Sequence, residues 1–96
     1  MSDLRRIVLD VLKPHDPSLL TFTERVADVE GVDGVTSSLI ELDQEVQNVK
    51  LTIEGETLEY AAVEEAIEGL GGTVHSVDQV AYGEYVVKEQ RTLQDN

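Results

Sequence analysis

The feature that most restricts the fold of this chain is a pattern written twice. Each half reads as an alternating apolar stretch, a helix-period stripe, a glycine-containing turn and a further alternating stretch. From Leu4 to Leu12 aliphatic residues dominate. Ile7, Leu9 and Val11 fall on one face of a strand and Val8, Asp10 and Leu12 on the other, because successive strand side chains alternate. Lys13-Pro14 is expected to end this strand, since proline cannot donate to a ladder. Asp16-Pro17 then reads as a helix start, with aspartate as N-cap and proline at the first helical position. Leu19, Phe22, Val26 and Val29 follow as one amphipathic stripe, and Gly31 is expected to cap its end.

The second half repeats the pattern. Val35 to Leu42 and Val46 to Glu54 read as strands joined by a short Asp43-Gln44-Glu45 hairpin turn. A helix is expected from about Thr57 to Leu70 with Tyr60, Val63, Ile67 and Leu70 on one stripe. Gly71-Gly72 then stops it, and Thr73 to Tyr82 reads as a fourth strand. Two such halves make a ferredoxin-like α+β fold, strand–helix–strand–strand–helix–strand, with antiparallel sheet order 4-1-3-2. Right-handed crossovers place both helices on one face. Residues 1–83 are read as this domain and residues 84–96 as a C-terminal extension. Its Tyr85-Val86-Val87 run could add an edge strand, and the polar end is expected to be disordered.

Charge decides which partners fit. Twenty acidic residues against seven basic ones give a net charge of −13, and lysine occurs only at positions 13, 50 and 88. Nucleic-acid binding needs cations to neutralise phosphates, and anionic membranes need them too, so neither is an expected partner. An acidic, lysine-poor composition is that of a protein from a high-salt cytoplasm, whose self-repulsion salt would relieve. The chain has no cysteine, which removes disulfides, thiolate metal sites and thiol nucleophiles. No apolar run approaches a membrane span or the core of an export signal, and a cytoplasmic location is expected.

Three stretches resemble one family. Val8-Leu9-Asp10-Val11-Leu12-Lys13-Pro14-His15-Asp16-Pro17, Glu30-Gly31-Val32-Asp33-Gly34-Val35 and Gly71-Gly72-Thr73-Val74-His75-Ser76-Val77-Asp78 are similar to the archaeal domain-of-unknown-function 211 family. With Val49 to Gly55, the likeness runs over nearly all of residues 4–83. The resemblance implies a ferredoxin-like fold and a tendency to form homo-oligomers, and it implies no activity. Thr73 departs from the aliphatic residue usual at its position.

Strand order also says where a site would lie. With order 4-1-3-2, the end of the first strand meets the start of the fourth and the turn between the second and third. Lys13, His15 and Asp16 are therefore expected beside Gly72, Thr73 and His75, and near Asp43 and Glu45. Two ligand chemistries fit that list. His15, His75, Asp43 and Glu45 could hold a divalent cation. Alternatively Lys13, the first helix N-terminus and the Gly71-Gly72 backbone could hold an anionic small molecule. Catalysis is not expected, for the chain carries no nucleophile elbow, metalloprotease helix or phosphate-binding loop.

Val8 and Leu12 fall on the sheet face that the helices leave open, and they are expected under another subunit or under the tail through Tyr85 and Val87. The reading is a non-enzymatic, homo-oligomeric small-ligand-binding or regulatory module. A metal-binding protein and a purely structural oligomer are its alternatives.

Overall fold

The computed structural model describes residues 3–84. The order is β1 (Leu4–Pro14), α1 (Leu19–Ala27), β2 (Gly34–Leu42), β3 (Val46–Glu54), α2 (Tyr60–Gly69) and β4 (Thr73–Tyr82). The four strands form one antiparallel sheet in the order β2-β3-β1-β4, which is the expected 4-1-3-2 read from the other edge.

The alternation of β1 and β3 builds the core. Ile7, Leu9 and Val11 pair with Ile53, Leu51 and Val49, and all six are fully buried. Phe22 and Val26 of α1 and Val63 and Ile67 of α2 close over them. The β1–β3 ladder runs through nine consecutive pairs without a break. The β1–β4 ladder instead shifts register three times, between Leu4 and Arg6, Val8 and Leu9, and Asp10 and Val11.

Several element ends differ from the sequence reading. β1 continues through Lys13 to Pro14. Its pairing with β4 stops at Leu12 and Thr73, so Pro14 has only β3 beside it and its missing N–H breaks no second ladder. Helix α1 is capped by Ser18 rather than Asp16, because the Ser18 Oγ is the acceptor that reaches Thr21 N, at 3.2 Å. The Asp16–Pro17 peptide is cis. At its other end α1 stops at Ala27 with Asp28 as the cap, and Gly31 lies beyond in a turn with φ +94°. Helix α2 begins three residues later than expected because Leu58 N donates to Leu4 O at 2.9 Å, which ties that segment to β1.

Gly71 and Gly72 do stop α2. Gly71 takes φ +90°, its N–H donates to Glu68 O at 3.0 Å, and the Gly72 N–H donates to Ile67 O at 2.9 Å. That pair of bonds is a Schellman ending. The expected edge strand and disordered end of the tail, with Tyr85 and Val87, fall outside the described residues.

Candidate ligand-binding site

The residues expected at one end of the sheet do gather there, but the sheet divides them. β1 alternates, so Lys13 follows Ile7, Leu9 and Val11 onto the helix-covered face, while Leu12 follows Val8 and Asp10 onto the open face.

On the covered face Lys13 is 0% exposed. Its Nζ donates to Pro14 O at 2.6 Å and lies 5.8 Å from the centre of the Phe22 ring, a cation–π distance. Burial pushes the ammonium below its ordinary value of 10.5, and the Asp16 carboxylate partly opposes that shift. Beside it, in register on β3, Gln47 has a buried Oε1 that meets no donor among the described residues.

Most of the groups expected to hold an anion are engaged within the fold. Lys13 is enclosed, Ser18 already serves the start of α1, and the Gly71 and Gly72 N–H groups are spent on α2. A Cβ on Gly72 would stand 3.0 Å from Ile67 Cγ2 and 3.2 Å from Phe22 Cζ, so this glycine lets the chain pack on the core and does not cradle a ligand. Asp16 and Thr73 are exposed, with Thr73 opposite Leu12 in the β1–β4 register.

The open face has a different character. A hollow of about 300 Å³ lies over the β1 end of the sheet, walled by the acids Asp10, Glu41 and Asp43 together with His75. Leu12, Val46 and Asn48 complete it, and no lysine or arginine among the described residues lines it. Asn48 Nδ2 donates to Asp10 Oδ1, which holds that carboxylate at the wall. The hollow is therefore acidic with two aliphatic patches, at the small end of the range for ligand pockets. Its elements follow from register: Leu12 pairs with Asn48, and Asn48 pairs in turn with Glu41 of β2.

His15 and Glu45 lie outside the hollow. The His15 Nε2–H donates to Asp43 O at 2.9 Å, so this side chain ties the β1–α1 loop to the β2–β3 hairpin. The expected metal quartet of His15, His75, Asp43 and Glu45 does not converge. Among the described residues no group of three or more His, Asp or Glu is placed to hold a metal ion. The carboxylates are spread around a space instead of aimed at a point.

The expected interface residues Val8 and Leu12 lie on the open face of the sheet. Val8 lies on the open face yet is only 7% exposed within the single chain, and Leu12 is half-buried in the hollow. Among the described residues the large exposed hydrophobic side chains are Leu20 on α1, Leu39, Ile40 and Leu42 on β2, and Val77, Val80 and Tyr82 on β4. No helix among the described residues is long and apolar enough to cross a membrane.

Comparison with known proteins finds relatives and adds no activity. The family model DUF211, described as uncharacterized ArCR, matches residues 5–96. An uncharacterized protein of the archaeon Methanocaldococcus jannaschii is 45% identical over 95 residues, which are 99% of this chain and 98% of the relative. With the family pattern matched almost from end to end, this chain belongs to the archaeal DUF211 family.

Proposed function

We propose that the protein is a non-enzymatic, homo-oligomeric binding module whose open-face hollow takes a small organic cation. The observation that carries this reading is the composition of the hollow: three carboxylates, a histidine and two aliphatic side chains around about 300 Å³, with no lysine or arginine among the described residues that line it. An amine placed there gains charge-assisted hydrogen bonds from the carboxylates, and its methylenes meet Leu12 and Val46. The spread of the acids favours such a ligand over a bare metal ion.

Titration calorimetry with putrescine tests the reading. Putrescine is expected to bind, and Asp10→Asn or Asp43→Asn is expected to weaken it by about tenfold, the scale of one charge-assisted bond. A preference for inorganic phosphate, or affinity indifferent to both substitutions, would sink the proposal.

Support for self-association comes from the edge strands. Val77 and Val80 are 48% and 52% exposed although they pair with the buried Leu9 and Ile7. Burying such a side chain contributes roughly 1.5–3 kcal/mol, which favours a second copy covering it. Sedimentation is expected to show more than one chain per particle at micromolar concentration, and Val80→Lys should shift it toward monomers. A wild-type monomer would end this part of the proposal. The −13 charge supports a high-salt cytoplasm as the working environment.

A further inference from the structure

In a chain whose residues are 28% charged, three stretches of seven or more carry no Asp, Glu, Lys or Arg: 17–23, 34–40 and 69–77. The first two lie side by side. Residues 17–23 hold the start of α1, and residues 34–40 make up most of β2, an edge strand. The Thr23 and Ser37 hydroxyls join them at 2.6 Å. A groove of about 500 Å³ runs there, lined by Leu19, Leu20, Thr23, Glu24 and Ser37. Leu20 is 83% exposed. Leu39 and Leu42 share the helix-covered side of the sheet, because they pair with Val49 and Gln47, and both are exposed.

The backbone of β2 is open as well. An edge strand presents a row of unpaired N–H and C=O groups, which natural edges guard with lysine, proline, inward charges or bulges. From Gly34 to Leu39 β2 has none of these. Its six pairs with β3 run in unbroken register, and the first shift comes only after Leu39. At the opposite edge, two register shifts place an extra residue on β4.

Charge selects the occupant. A basic partner would be drawn to the acidic surface, whereas a second copy carries the same −13 and is repelled by it. Two copies can meet closely only where both are free of acids, and a two-fold contact sets one surface against itself. The α1–β2 side meets that condition, with Glu24 the one charged residue among the described residues lining its groove.

We infer that β2 pairs antiparallel with β2 of a second copy, about a two-fold axis normal to the sheet. This rests on the self-association proposed above and names a surface for it apart from β4. The axis joins two four-stranded sheets into one of eight and keeps both helix layers on one side. The α1–β2 groove of each copy then faces that of the other, and the hollows on the opposite side stay open. Each copy uses its β2 once, so the pairing is closed.

Amide hydrogen exchange of the full-length chain, read by NMR at low and high protein concentration, tests it. Amides from Gly34 to Leu39 that β3 leaves unpaired are expected to exchange more slowly at high concentration. Leu20→Lys with Leu39→Lys should abolish that difference and weaken the dimer about tenfold in sedimentation, the equivalent of one buried aliphatic side chain. Both side chains are exposed in the single chain, so the core is left intact, and the amide spectrum verifies this. A monomer at every concentration would end this inference together with the proposed self-association. An oligomer whose β2 exchange ignores concentration would overturn this inference alone. Val80→Lys should leave the β2 protection in place. Its loss there would assign β2 to a neighbour's β4 and overturn the two-fold pairing.

Discussion

Gly55→Ala is expected to destabilise the fold by about 3 kcal/mol, the upper range for overpacking. A Cβ at this position would stand 2.1 Å from Gly31 O, 2.8 Å from Leu58 Cδ2 and 3.2 Å from Gly31 C. The nearest neighbour is backbone, which cannot rotate away as a side chain can. The same two loops meet a second time, for a Cβ on Gly31 would stand 2.8 Å from Thr57 O, and Gly31 also holds φ +94°. Two loops, one after α1 and one after β3, therefore cross backbone to backbone, and both crossing points are glycine. Asp33 N donating to Glu54 O at 2.8 Å and Gly55 N donating to Arg5 O at 3.1 Å fix the crossing in place. In a domain of this size each kcal/mol moves the melting temperature by about 4–8 °C, so a fall on the order of 15 °C is expected by calorimetry. Gly34→Ala is the control, because nothing lies within 4 Å of its Cβ position. Equal melting temperatures for the two variants would show that the loops separate freely.

Phe22→Ala is expected to have a comparable or larger effect, about 3–5 kcal/mol. Phe22 is the only phenylalanine in the chain and is fully buried. Its ring lies by the Lys13 ammonium, and its Cζ lies against the Cβ position of Gly72. Its loss opens the end of the core that encloses Lys13. The consequence is visible in pH as well as in urea. Burial holds the folded-state value of Lys13 below 10.5, so between that value and 10.5 the unfolded chain binds more protons. Wild-type stability should therefore gain a positive contribution from Lys13 as the pH rises through this interval. In Phe22→Ala water reaches the ammonium, its value returns toward 10.5 and that contribution shrinks. Tyr60 shifts the other way, raised by burial and then by the Glu64 and Glu68 charges, and its contribution is lost as the pH rises past 10.0. It is common to both proteins and cancels in the comparison. A pH-independent difference between them would show that the ring does not shield Lys13.

The fold was legible because periodicity, turn residues and repetition agree. The bounds of β3 and β4 could be read from Val46 to Glu54 and from Thr73 to Tyr82. The ends that moved did so through contacts that no local pattern encodes. Ser18 and not Asp16 reaches the Thr21 N–H, and the Leu58 N–H is taken by Leu4, far away in sequence. The site was legible only to the level of one sheet end. Strand order brought His75 and Asp43 to the same hollow and His15 to the Asp43 carbonyl. Alternation along β1 already separated Lys13 from Leu12, so the division into two faces was readable. Asp10 shares the face of Leu12 by the same rule. Glu41 and Asn48 were not readable, because their positions depend on the β2–β3 register and on the shift between Leu39 and Glu41.

The three register shifts along β1 and β4 have a consequence for how chains can meet. A straight apolar edge is a template for strand addition, the route to uncontrolled fibrous assembly. β4 carries Val77, Val80 and Tyr82 in exposed positions, yet its ladder with β1 shifts register three times, and at two of those shifts the extra residue lies on β4. Irregularities of this kind increase local twist and interrupt the row of donors and acceptors that an incoming strand would need. The edge can offer its side chains to a neighbour while denying it a continuous backbone seam. Growth by endless strand stacking is thereby discouraged at this apolar edge, and finite, side-chain-mediated contacts are left as its accessible mode of association.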